Sequence, residues 1–103
     1  MTYTPSKKQK EIIKQQIRTI LSNEEEVQKV VIFGSFIKSD MPNDIDIAVF
    51  QNSNNEYLSL SMKYRKLLRG LTDSIPYDVV PLHSHAKGFF LEHIKSGETI
   101  FER

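Results

Sequence analysis

Apolar positions recur along the chain at two different periods. Ile12, Ile13, Ile17, Ile20 and Leu21 fall at helical spacing, with Lys, Gln and Arg between them, which predicts an amphipathic first helix. Thr4 is its expected cap, with Pro5 in the first position where a missing N–H is harmless, and Ser22-Asn23 ends the periodicity. Val30-Val31-Ile32-Phe33 is a short, β-branched apolar run closed by Gly34, the pattern of a buried strand. A second strand is expected from about Asp44 to Phe50, with Ile45, Ile47 and Val49 on one face. Ser53-Asn54-Asn55-Glu56 has the spacing of a capping box. The helix behind it should bury a stripe of Tyr57, Leu60, Tyr64, Leu67, Leu68 and Leu71. Pro76 to Leu82, around Val79 and Val80, reads as a third strand. Ser84 is placed to cap a last helix carrying Phe89, Phe90 and Ile94, with Gly97 just past its end, and Thr99-Ile100-Phe101 reads as a short terminal strand. Strands alternating with helices imply an α/β domain, its helices packed on a small sheet.

Composition narrows the function classes. The 103 residues fit a single domain over 1–103, and a domain of that size buries roughly 65% of its unfolded surface. Hydrophobic residues at 39% and charged residues at 26% describe a folding chain rather than a disordered one. Lys and Arg total 14 against 13 Asp and Glu, so the overall charge gives no case for nucleic acid or an anionic membrane as partner. The absence of cysteine excludes a disulfide scaffold, a thiolate zinc site and a cysteine nucleophile. No apolar h-region follows Met1-Thr2-Tyr3-Thr4-Pro5, and no apolar run nears the ~18 residues of a membrane span, so a cytoplasmic location is expected.

The chemistry lies in the acids. Asp44 and Asp46 stand at i and i+2 of the second strand, on one face and ~6.5–7 Å apart along it. At that separation two carboxylates repel by roughly 2–3 kcal/mol at an effective dielectric near 20. Asp78 interrupts another apolar run, where a charge is costly unless paired or bound to a cation. If the two strands are neighbours, three carboxylates converge, and the natural counter-ion is a hard divalent cation such as Mg2+, one or two ions, which keeps sites open for substrate phosphates. Gly34-Ser35 ends the first strand, where exposed N–H groups and the Ser35 hydroxyl suit phosphate oxygens, and Lys38 adds a positive charge nearby. Each of these residues also has a plain structural reading: a strand-end Asp, a helix-capping Ser35, a solvated Lys38. His83-Ser84-His85 reads as a loop and cap rather than a metal site. Lys63, Arg65, Lys66 and Arg69 read as the solvated face of the second long helix.

Val30-Val31-Ile32-Phe33-Gly34-Ser35, Asn43-Asp44-Ile45-Asp46-Ile47-Ala48-Val49 and Tyr77-Asp78-Val79-Val80 together resemble the minimal nucleotidyltransferases of the DNA polymerase β-like nucleotidyltransferase superfamily. The resemblance implies a mixed sheet of strand order 1-2-3 flanked by helices. It implies metal binding and catalysis by Asp44, Asp46 and Asp78, and phosphate binding by Gly34, Ser35 and Lys38. It further implies transfer of a nucleoside monophosphate, AMP from ATP above all, to an acceptor hydroxyl. The implied partner is a small helical HEPN-type protein that the chain serves as antitoxin; homo-oligomers are left open. Lys38 and Ser39 stand where the family commonly has Arg and Gly, and Asn43 where it commonly has Ser. Two rival readings follow: a non-catalytic antitoxin that neutralises its partner by contact, and a transferase acting on a small molecule of aminoglycoside type.

Overall fold

The computed structural model describes residues 4–71, 75–86, 88 and 91–103. The first helix, α1 (Lys7–Ser22), is capped by Ser6 rather than Thr4. Ser6 Oγ accepts the Gln9 N–H at 3.1 Å and Gln9 Oε1 accepts the Ser6 N–H at 2.7 Å. This reciprocal box satisfies two backbone donors at the start of the helix. Ile13, Ile17 and Leu21, each four residues apart, are the buried line of α1, while Ile12 is half exposed. Lys14 is buried beside them, its ammonium 3.0 Å from Glu11 and 2.9 Å from Glu98. Burial opposes that charge, but the two carboxylates outweigh it and hold the ammonium above its ordinary value.

Four strands follow: β1 (Val27–Phe33), β2 (Ile45–Gln51), β3 (Tyr77–His83) and β4 (Glu98–Glu102). They form one mixed sheet in the order β3-β2-β1-β4. The expected neighbours 1, 2 and 3 are adjacent, and the short terminal strand adds to the free side of β1. Strands β1 and β2 are antiparallel, β1 and β4 antiparallel, and β2 and β3 parallel. The parallel pair requires a crossover, which is α3 (Tyr57–Leu67). Strand β2 begins at Ile45, one residue after Asp44. The expected capping box at Ser53 does not form: Ser53 Oγ donates to Gln51 Oε1 at 2.5 Å and accepts the Asn55 N–H, so the helix starts only behind Glu56. The buried stripe of α3 is Leu60, Tyr64 and Leu68, narrower than expected, because Tyr57 in the first turn and Leu67 face solvent. Ser84 closes a turn after β3, its N–H on the Gln51 carbonyl at 2.7 Å, and caps no helix. The last helix, α4 (Leu91–Lys95), starts seven residues later, and Phe89 and Phe90 lie outside the described residues.

The sheet is covered unequally. On one face Val30, Ile32, Ile47, Val49 and Val79 pack with the apolar lines of α1 and α3. On the other, among the described residues, Val31, Phe33 and Ala48 pack with Ile94 of α4 and its half-buried neighbours Phe50, Leu82 and Leu91. Gly97 lets the α4–β4 turn press on β1: a Cβ there would lie 2.5 Å from the Ile32 carbonyl oxygen and 2.8 Å from Phe33 Cβ. Among the described residues no helix is long and apolar enough to cross a membrane.

One polar network crosses the main core. Tyr64 is fully buried, and its hydroxyl donates to Glu26 Oε2 at 2.9 Å. Lys63 lies 2.9 Å from both Glu24 and Glu26. Burial works to raise the Glu26 carboxyl, but the bonds from Lys63, the backbone and Tyr64 outweigh it and hold Glu26 below the usual range. Tyr64→Phe should therefore destabilise the fold by about 1.5–3 kcal/mol, the worth of a hydrogen bond to a charged group, measured by urea unfolding at pH 7. Because Glu26 is depressed in the folded state, its contribution is present above its unfolded value and lost as pH falls through the folded one. The deficit of Tyr64→Phe should accordingly shrink on acidification below about pH 4.5.

Candidate active site

Strand β1 runs straight into the Gly34–Ser35 turn. Gly34 takes φ 79° and ψ −152°, a conformation open to glycine and strained for other residues. It stands at the head of the one-turn helix α2 (Ser35–Lys38), and its carbonyl accepts the Ile37 and Lys38 N–H groups at 3.1 and 3.2 Å. Phe36, completely buried, anchors this turn in the core. The Ser35 hydroxyl accepts the Asn43 N–H at 3.2 Å and donates to the Asp44 carbonyl at 3.5 Å. It thus ties the turn to the residue that leads into β2, which is neither a helix cap nor an idle surface group. Ser39, where the family commonly has Gly, keeps an extended backbone, and its hydroxyl accepts the Met41 N–H at 3.0 Å.

The register of the sheet decides where the acids go. Asp46 pairs with Phe33 on one side and with Asp78 on the other. Its strand neighbours Ile45 and Ile47 belong to the main core, so Asp46 projects from the opposite, thinly covered face. Asp78, between Tyr77 and Val79, projects from that same face. Asp46 is half-buried and lies directly over Gly34, so closely that any Cβ at position 34 would overlap its Oδ2. Glycine is needed here twice, for its φ and for the space it leaves. The Asp46 carboxyl is pushed up to about 6, first by burial, then by the charges of Asp44 and Asp78 and a hydrogen bond with Asp44. Burial disfavours the charged form, and the neighbouring like charges add to it.

Asp78 has a partner of its own. It is exposed, and Arg65 Nη2 of α3 lies 2.8 Å from its Oδ1. The same side chain donates from Nε to Ser61 Oγ at 3.2 Å and from Nη1 to the Tyr77 carbonyl at 3.5 Å. Arg65 had no signal in the sequence beyond membership of a basic cluster; only the crossover brings it to β3. Among the described residues no three acidic or imidazole side chains stand close enough to share one ion. Lys38 is exposed and gives its hydrogen bond to Ser96 Oγ at 3.2 Å. His83 and His85 face each other at 5.5 Å between ring centroids in an exposed turn away from the acids. The donor set of Asp44, Asp46 and Asp78 is all hard oxygen, and Asp44 and Asp46 crowd like charge together, so its chemistry fits a divalent cation of magnesium type.

Comparison with known proteins bears on the fold and the family. No curated protein matches the chain. Its fold is similar to a chain in the crystal structure of the toxin–antitoxin pair MntA-HepT, with a TM-score of 0.59 and 19% identity over 90% of this chain and 73% of that one. It is also similar to a chain in the structure of a tri-AMPylated Shewanella oneidensis HEPN toxin in complex with MNT antitoxin, with a TM-score of 0.61 and 20% identity over 91% of this chain and 73% of that one. Residues 15–103 match the model of the family described as polymerase beta, nucleotidyltransferase. The match takes in the Gly34–Ser35 turn and all three acids, and the chain belongs to the polymerase beta nucleotidyltransferase family.

Proposed function

We propose that the chain is a cytoplasmic antitoxin that transfers AMP from ATP to a hydroxyl of a small helical HEPN-type toxin. The observation that carries the reading is the placing of Asp46 and Asp78 side by side on the open face of the sheet, with Asp44 and the Gly34–Ser35 turn against them. The toxin as acceptor is supported by the tri-AMPylated HEPN toxin bound to its MNT antitoxin in the structural relative.

The acceptor oxygen attacks the α-phosphorus of ATP, the bond from that phosphorus to the bridging oxygen breaks, and pyrophosphate leaves. Asp78, the most exposed acid, takes the hydroxyl proton at its carboxylate. Backbone N–H groups after Gly34 and the Ser35 hydroxyl hold the departing phosphates in line with the attack. Asp44 and Asp46, with Asp78, would hold Mg2+, which when bound supplies the charge that offsets the triphosphate. Lys38, in the last turn of α2, adds a positive charge near the phosphates.

The test is incubation of the chain with its HEPN partner, Mg2+ and labelled ATP. Label should appear on the partner, and Asp46→Asn should reduce the rate at least about a hundredfold, the worth of several kcal/mol of transition-state charge stabilisation. Full neutralisation of the toxin by Asp46→Asn in cells would instead favour the contact antitoxin.

The same variant should gain stability. The folded value of Asp46, about 6, lies above the ordinary 3.8, so its favourable contribution is complete below 3.8 and lost as pH rises through 6. Asp46→Asn should melt higher than wild type above pH 6, by about 1 kcal/mol once solvent screening is allowed for, with the difference vanishing near pH 4. Calorimetry across that range would check it; a destabilised variant at pH 7 contradicts the crowding of the acids.

Ser35→Ala should weaken triphosphate binding by about 0.5–1.5 kcal/mol, equally for ATP and GTP, since the turn holds phosphates and not the base. A titration showing loss for ATP alone would move Ser35 to the base site.

A further inference from the structure

Arg65 belongs to the helix layer, yet its guanidinium lies on a residue of the opposite face. Helix α3 packs by Leu60, Tyr64 and Leu68 against the well-covered face of the sheet, whereas Asp78 projects from the thinly covered one. The reach is possible because β3 is the edge strand, so the side chain passes round its free side. Along that path it is held at Ser61 Oγ and at the Tyr77 carbonyl before it meets Asp78 Oδ1 at 2.8 Å. The register places Asp78 beside Asp46, but the three acids do not stand close enough to share an ion. Asp44 and Asp46 crowd each other, while Asp78 is taken by the guanidinium.

We propose that Arg65 is a latch on the third acid: it holds the Asp78 carboxylate apart from the Asp44–Asp46 pair in the free protein and lets go when a divalent cation enters. The inference rests on the reading of the three acids as a cation site. Both partners of the latch are substantially exposed, at 46% for Arg65 and 62% for Asp78. An ion pair that exposed is weak, so a doubly charged cation held by two further carboxylates prevails over it. The bonds to Ser61 and Tyr77 keep the guanidinium at the strand edge after Asp78 leaves, ready to receive it again. Arg65 is thus a positioning residue, acting through Asp78.

The experiment is titration of the full chain with Mn2+ alone, without nucleotide or partner, followed by calorimetry and the electron paramagnetic resonance of the free ion. Arg65→Ala removes the competitor and should tighten Mn2+ binding about two- to fivefold, the range set by an exposed ion pair. Lys66→Ala removes the same charge from the next position of α3 without touching Asp78 and should leave the affinity unchanged. Equal tightening in Lys66→Ala would reduce the effect to background charge and overturn the latch. Binding that Asp46→Asn abolishes but Arg65→Ala does not tighten would overturn the latch and leave the cation site standing. Absence of Mn2+ binding in wild type and Arg65→Ala alike would overturn both.

Discussion

The register of β2 is the constraint on which the site depends. A slip of one residue would send Asp46 into the main core and Ile45, Ile47 and Val49 out of it. Those three side chains are fully buried, each worth about 1.5–3 kcal/mol of burial. Together they exceed the roughly 2–3 kcal/mol of repulsion between acids about 6–7 Å apart, so the apolar face dictates where the charged face lies. Phe33 opposite Asp46 then brings the end of β1 to the carboxylate, and the next residue must be glycine. On the far side, parallel pairing with β3 delivers Asp78 to the same level. Three separate stretches of sequence meet because one strand cannot be threaded any other way.

Parallel pairing also explains the basic helix. The chain must cross over from the end of β2 to the start of β3, and α3 is that crossover, packed on one face of the sheet. Its position is set by Tyr64 and Lys63, which bind Glu26 and Glu24 just ahead of β1. With residues 63 and 64 fixed on the β1 side, Arg65 is carried to the β3 side, where the edge strand leaves it a path to Asp78. The acids and the guanidinium that meets one of them are thus both products of the same topology.

Much of this was legible in the sequence. The β-branched run before Gly34, the alternation through Asp44 and Asp46, and the apolar strand around Asp78 each carry a local signal, and the strand order followed from the resemblance. The differences have two causes: competition between nearby polar groups that a pattern cannot rank, and contacts that only the tertiary fold brings together. Ser6 took the cap from Thr4 because Gln9 completes its box. Ser53 lost its cap because the Gln51 side chain captured it. Tyr57 and Leu67 fit a helical stripe but lie outside the arc that the sheet covers. The tie of the Ser35 hydroxyl to Asn43 and Asp44 depends on the path of the connecting loop, which no local pattern carries. Arg65 was illegible, since nothing local joins a helix residue to an acid thirteen positions later across a crossover.

On the proposed reading, the unequal covering of the sheet by the described residues bears on what the partner does. Two helices cover one face, and among the described residues the acids open on the other, where Phe50, Leu82 and Leu91 are half-buried beside the short α4. There Asp78 is largely in water, and in water a charge stabilises a transition state weakly. Electrostatic catalysis gains when solvent is excluded and the groups are held in place beforehand. Neither condition is met by the described residues alone at this face. An acceptor protein seated over it would meet both at once, excluding water from the acids while presenting its own hydroxyl to Asp78. On the proposed reading the acceptor is therefore part of the active site's wall as well as its substrate, and a free hydroxyl compound too small to cover the face would react poorly by comparison.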